Sequence, residues 1–133
     1  MNTLILLILS LFPQDQQIEI TQIRDSAVVE LISSIQACND FSTDDFSLMI
    51  HEKFNPYGSA KNNSGEITRS YYFIISDLDD YPKVSVFEIG AFYKPEIINV
   101  KPSSDVIQVE IEYYSEYQKV KKTLYVYSHR VVE

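Results

Sequence analysis

The stretch Phe41-Ser-Thr-Asp-Asp-Phe-Ser-Leu-Met-Ile-His-Glu-Lys-Phe54 decides the fold, because the chain on either side of it reads plainly. It carries helix-start chemistry. Ser42 stands where an N-cap hydroxyl belongs, Asp45 three residues on completes a capping box, and Phe41 is placed to staple onto Phe46. Asp44 and Asp45 fall in the first turn, where the helix dipole favours carboxylates. Asn55-Pro56 closes the segment, since the residue before proline is driven out of the α region. The pattern predicts a helix over 42–54.

Upstream, Ile20, Ile23, Ala27, Leu31 and Ile35 recur at helical spacing, widened by Val28 and Ile32. Arg24, Asp25, Glu30 and Gln36 fill the other side, so a core-facing helix is expected over 18–37. Downstream, the pattern changes to strands over 67–76 and 83–93, then a short run over 96–100 after Pro95. Within 83–93 the apolar phase slips from Val84/Val86 to Phe87/Ile89 just before Gly90, which predicts a bulge or sharp bend.

The last two strands register on paper. Pairing Tyr114 with Lys119 across Ser115-Glu-Tyr-Gln118 sets Ile107 against Val126, Val109 against Leu124 and Tyr113 against Val120 on one face. The other face takes Glu112 against Lys121, Glu110 against Thr123, Gln108 against Tyr125 and Val106 against Tyr127. A slip of one residue scrambles both faces, so the pattern specifies its own register. Ile111 opposite Lys122 is the one misfit.

Two helices followed by four or five antiparallel strands predict an α+β domain, its helices packed on a curved meander. The element order is similar to that of cystatin-like and nuclear-transport-factor-2-like rolls, an analogy of architecture alone. Folds of this kind serve many functions, so the analogy supplies none.

With 133 residues and 45% apolar composition the chain suits one globular domain over 18–133. Nineteen acidic against eleven basic residues give a net charge of −8, which disfavours nucleic-acid and anionic-membrane partners. The run Leu4-Ile-Leu-Leu-Ile-Leu-Ser-Leu-Phe12, followed by a polar stretch, reads as the apolar core of an export signal over residues 1–17. It is too short for a membrane-spanning helix, so no stable anchor is expected once it is removed. The protein is then periplasmic or secreted. No Lys or Arg precedes the run and no A-x-A site follows it, and a docked apolar element in a cytoplasmic protein is the alternative. Cys38 is the one cysteine, so no internal disulfide forms; it reads as a buried, inert thiol.

Catalytic signals are absent. His51-Glu-Lys-Phe-Asn55 lacks the second histidine of a zinc-protease helix, and His129 lies near the terminus. Asp44 and Asp45 are accounted for by the helix start. Asp77-x-Asp79-Asp80 resembles a calcium loop only until position six, where Pro82 replaces the required glycine; an acidic hairpin connection is the simpler reading. Asn62-Asn63-Ser64 in the polar loop 57–65 matches a glycosylation sequon, a weak three-residue signal. There is no glycine-rich phosphate loop and no metal-ligand spacing, so no catalytic residue, cofactor or metal is expected.

Ten Tyr, seven Phe and no Trp remain. Tyr114, Tyr125 and Tyr127 fall on the outward face of the registered hairpin, where amphipathic rings suit a binding surface or simply stabilise an exposed sheet. The first functional reading is therefore an exported, non-catalytic binding module using this face or a pocket of the roll for a protein or small ligand. The alternatives are a small hydrolase- or isomerase-like enzyme with a pocket between sheet and helices, and an acidic inhibitor or immunity-type protein.

Overall fold

The computed structural model describes residues 17–33, 39–55 and 67–133. The export-type run Leu4–Phe12, Cys38, and the loop with its Asn62 sequon lie outside them. The described chain is an antiparallel sheet protein: β1 (Ile20–Ile23), α1 (Ser26–Ser33), β2 (Asn39–Ser42), β3 (Phe46–Phe54), β4 (Arg69–Asp77), β5 (Val84–Pro102), β6 (Ile107–Ser115), β7 (Gln118–Val126) and β8 (Val131–Val132). The strands pair in chain order from β2 to β8, and β1 adds onto β5.

This overturns the expectation of two helices on a sheet, and the cystatin-like and nuclear-transport-factor-2-like analogy falls with it. Residues 42–54 are the last residue of β2, the turn over 43–45 and β3. The hydroxyl of Thr43 accepts hydrogen bonds from the backbone N–H of Asp45 (3.2 Å) and Phe46 (3.1 Å), while the Thr43 N–H donates to the Phe46 carbonyl at 2.8 Å. An N-cap and a side-chain-closed turn use the same bond, so the capping signal marked a hairpin. Beyond it the period is two: Phe46, Leu48 and Ile50 are buried in the main core, and Met49 points to the other face.

The upstream helix shrinks similarly. Ile20 and Ile23 belong to β1, where residues three apart face opposite sides; Ile20 packs on the main core and Ile23 on the helix-side cluster. The helix starts at Ser26 because Asp25 caps it, its Oδ1 accepting the N–H groups of Ala27 (3.0 Å) and Val28 (3.3 Å). Ile32 and Val29 then pack on Ile74 and Val86. Residues 34–38 of the expected helix lie outside the described residues.

β5 organises the sheet. Its N-terminal half is flanked by β4 and β1, and its C-terminal half pairs with β6. The two halves are joined by the expected bulge. Tyr71 pairs with Ile89 and Arg69 with Phe92, leaving extra residues at Gly90–Ala91. Gly90 has φ +112°, and a Cβ there would sit 2.8 Å from the ring of Phe92, so the position admits no larger side chain without displacing that ring. The strand does not end at Pro95, as the sequence suggested. Lys94 in the left-handed region (φ 46°) and a register shift between Tyr93 and Glu96 absorb the proline as a bulge inside one strand. One buried cluster draws on both halves, from Phe46, Leu48 and Phe73 to Val109, Leu124 and Val126. A line of tilted rings crosses the bend: Tyr71 to Phe92 at 6.2 Å and Phe92 to Tyr113 at 4.8 Å.

The β6–β7 register matches the paper register at every pair from Ile107↔Val126 to Tyr114↔Lys119. The expected four-residue loop tightens to Glu116-Tyr117, both at positive φ (48° and 66°) as a type I′ turn demands. The misfit at Lys122 has a partner. Its Nζ lies 2.8 Å from Glu133 Oε1, and Glu133 Oε2 accepts the Ile18 N–H at 2.7 Å, so one carboxylate ties β7 to the start of the described chain.

Candidate functional site

The structure does not gather the three tyrosines of the hairpin face. Tyr114 sits opposite Lys119 beside the turn, while Tyr125 pairs with Gln108 at the far end of β7. Six residues of extended chain separate them, about 20 Å. Tyr114 lies under the Lys119 ammonium (6.0 Å to the ring centre), and Tyr127 under the Arg130 guanidinium (4.7 Å). Between the two ends runs a strip of ion pairs on diagonals, Lys119–Glu112 at 2.8 Å and Lys121–Glu110 at 3.6 Å, not between the directly opposed Glu112 and Lys121.

Other singled-out residues have structural employment. The Asp44-Asp45 pair lies in the β2–β3 turn, and the Asp45 carbonyl accepts the Leu78 N–H at 3.1 Å. Asp77 closes the β4–β5 connection by accepting the Lys83 N–H on Oδ1 at 2.7 Å. His129 is exposed, with Nδ1 3.1 Å from the Ser128 hydroxyl. His51 sits on β3 opposite Tyr72, and its Nε2 is buried without a hydrogen-bond partner among the described residues. Beside it Lys53 lies 3.3 Å from Glu88 and 5.5 Å from the centre of the Tyr72 ring. Asn55 Nδ2 donates to Ser70 Oγ (3.0 Å) and Thr68 Oγ1 (3.1 Å). These bonds pin the end of β3 to the start of β4 on the helix side of the sheet.

The core side of the same two strand ends forms a cleft. β4 begins pairing at Arg69, opposite Phe92, and beyond Phe92 the bulged β5 has no β4 residue beside it. A gap of about 500 Å³ opens there, lined by Ile50, His51, Glu52, Phe54, Arg69 and Tyr71 from β3 and β4 and by Pro95, Glu96 and Ile97 from β5. Cross-strand pairing sets its chemistry, with Glu52 opposite Tyr71 and Phe54 opposite Arg69. The Arg69 guanidinium bonds Glu52 Oε1 through Nη1 at 2.9 Å and lies 4.8 Å from the centre of the Phe54 ring. Both members of this ion pair are well exposed, so it adds little stability.

Tyr71 is the buried polar member, only 5% exposed. Burial pushes its phenol up to about 12; the carboxylates of Glu52 and Glu96 push the same way, and Arg69 opposes them. The hydroxyl therefore stays protonated at neutral pH and serves as a hydrogen-bonding group, not as a base or nucleophile. Glu96, opposite Glu112 on β6, lies in the field of the Lys119 ammonium, whose pKa the Glu112 hydrogen bond and the Glu112 and Glu96 carboxylates raise. Among the described residues, no cluster of three His, Cys, Asp or Glu could hold a metal, and no helix is long and apolar enough to cross a membrane.

None of the four polar cleft residues, Glu52, Arg69, Tyr71 and Glu96, stood out in the sequence. They converge only through the β3–β4 pairing and the β5 bulge, and reading 42–54 as a helix hid the first of these. The alternation Phe46-x-Leu48-x-Ile50 was the signal that could have exposed it. Compared with family models, curated proteins and solved structures, the chain matches none.

Proposed function

We propose that the chain is a small non-catalytic binding module whose ligand site is the cleft between the β3–β4 ends and the β5 bulge. The observation that carries this reading is a gap of about 500 Å³ beside the core, lined by Ile50, Phe54, Pro95 and Ile97 together with the buried Tyr71 and the Glu52–Arg69 ion pair. Apolar walls with a few convergent polar groups are the usual composition of a ligand pocket. Tyr71 is held protonated, strand alternation sends the His51 side chain to the opposite face from Ile50, and Glu52 is engaged by Arg69, so no paired nucleophile and base are assembled there. The tyrosine face takes second place as a site, since Tyr114 and Tyr127 already hold cations of their own chain.

A ligand-blind test suits the proposal. Fragments of mixed charge are screened by NMR on the labelled protein, then again on Ile97→Trp, which fills the gap. Hits that perturb the amides of Glu52, Tyr71 and Glu96 and vanish in the variant are the expected result. Hits confined to the β6–β7 face, or none at all, overturn the reading. Export by the run Leu4–Phe12 remains our proposal for location; an intact Met1 on the protein from its natural host would overturn it.

A further inference from the structure

The cleft is bordered by a strand edge as well as by side chains. Resting on the cleft being a binding site, we infer that its ligand is an extended segment of a partner protein, apolar at alternate positions and basic at its ends. That segment adds as a strand to the open edge of β5 and lays its apolar side chains into the gap. The edge comes first. Over Val86–Ile89 β5 is flanked on both sides, by β4 and by β1, whereas over 93–102 only β6 pairs with it among the described residues. Backbone groups of alternate residues in a strand point to opposite sides, so β6 takes one set and the other faces the side that β4 has left. The cleft runs along that side, since Pro95, Glu96 and Ile97 line it from β5 while no residue of β6 does.

A row of unpaired backbone groups is a template for another strand. Pro95 and the bulges on either side of Glu96-Ile97 limit regular pairing to 99–102, so the incoming strand takes its register there and passes the cleft over 95–97, about 25 Å in all. The other edges suit a partner less. β2 is four residues long, and the β7 edge over 118–124, unpaired among the described residues, carries Lys119, Lys121 and Lys122, the residue type that blunts such edges. Side chains of the added strand alternate between the core face and the outside. The inward ones meet Ile50, Ile97 and the ring of Phe54, which is 62% exposed although it stands on the core face of β3. Covering these takes apolar surface out of water. A compact ligand would fill the gap yet leave the β5 backbone to solvent; a strand engages both. The net charge of −8 favours basic ends over acidic ones.

The test titrates two probes into the full labelled chain: the capped peptide Lys-Val-Thr-Val-Thr-Val-Lys, and the same peptide with every valine and threonine nitrogen methylated. The expected result is saturable binding of the first, amide shifts at Glu52, Tyr71 and Ile97, and slowed hydrogen exchange at alternate amides within 96–101. The methylated peptide binds at least tenfold more weakly, about what losing two backbone hydrogen bonds costs. Phe54→Ala, an exposed change that leaves the core alone, weakens the first peptide about fivefold. Exchanging its two end lysines for glutamates weakens it at low ionic strength. Equal binding of the methylated peptide, or slowed exchange along 118–124 in place of 96–101, overturns the inference. So does slowed exchange over 96–101 that rises with protein concentration alone, which assigns the edge to a second copy of the chain. Cleft binding of compact fragments in the blind screen without binding of the peptide would leave the binding reading standing while this one falls; binding of neither removes both.

Discussion

Two hairpins of this chain, β2–β3 and β6–β7, are built by the same rules yet differ in how their sequences announce them. In β6–β7 the evidence is non-local and self-checking. Nine cross-strand pairs divide into a face with Val109, Leu124 and Val126 buried and a face of carboxylates and lysines, and a slip of one residue breaks both. In β2–β3 the strongest signal is local. A Thr43 hydroxyl closing a turn is indistinguishable, over four residues, from a helix cap. The strand that follows is apolar on both faces, since Leu48 meets the main core and Met49 packs toward α1, so its alternation is masked by the contiguous Leu48-Met49-Ile50. A strand buried on two sides looks like part of a helix. Cross-strand consistency is therefore the firmer evidence, because it involves many residues at once.

The largest effect that could break this contrast lies in β3. Phe46→Ala and Leu48→Ala remove fully buried side chains and should each destabilise by about 3–5 kcal/mol in urea unfolding, with Ser47→Ala near 0.5 kcal/mol or less. A helix with Phe46, Met49 and Ile50 inward would instead spare Leu48. Comparable losses at Ser47 and Leu48, or little loss at Leu48, would remove the strand. Next comes the bend that separates the regions. Gly90→Ala places a Cβ 2.8 Å from the Phe92 ring at φ +112° and should cost about 1–3 kcal/mol. Because Phe92 stacks on Tyr71, amide shifts of the cleft residues should move as well. A variant with unchanged stability and unchanged Tyr71 and Ile97 amides would deny β5 its role in shaping the cleft.

The legible part of the fold was what repeats at long range: the β6–β7 register, the strand expected over 67–76 and found at Arg69–Asp77, and a bend at Gly90 forecast by a phase slip. The illegible part was whatever depends on neighbours distant in sequence. Ile20 and Ile23 fit a helical stripe until β5 supplies the strand beside them. Pro95 reads as a break, yet Lys94 in the left-handed region lets one strand pass through it. The cleft is illegible for the same reason. Glu52 and Arg69 are seventeen residues apart, Glu96 lies on a third strand, and no short motif joins them. Tyrosines conspicuous by number lead to a face whose two ends lie about 20 Å apart.

Smaller effects sharpen the comparison at the turns. Thr43→Ala removes the acceptor for two backbone N–H groups and should cost about 1 kcal/mol, with Thr43→Ser restoring most of it. A helix capped by Ser42 would spare Thr43, and nuclear Overhauser contacts give a second diagnostic: those between Ser42 and Ser47 persist in a hairpin and are absent from a helix. The β6–β7 turn makes the converse point. Glu116 and Tyr117 both hold positive φ without being Gly or Asn, a conformation that costs ordinary side chains about 1–2 kcal/mol each. That pair survives because the strands around it specify the register. Replacing them together by Asn-Gly, the preferred type I′ pair, should therefore stabilise the hairpin by roughly 0.5–1 kcal/mol, the relief being partly offset by glycine's entropy. The amide pattern of Ile107–Val126 should stay as it is. A loss of stability, or a shifted register, would mean that the turn residues select the pairing after all, and that the contrast between the two hairpins is one of turn chemistry alone.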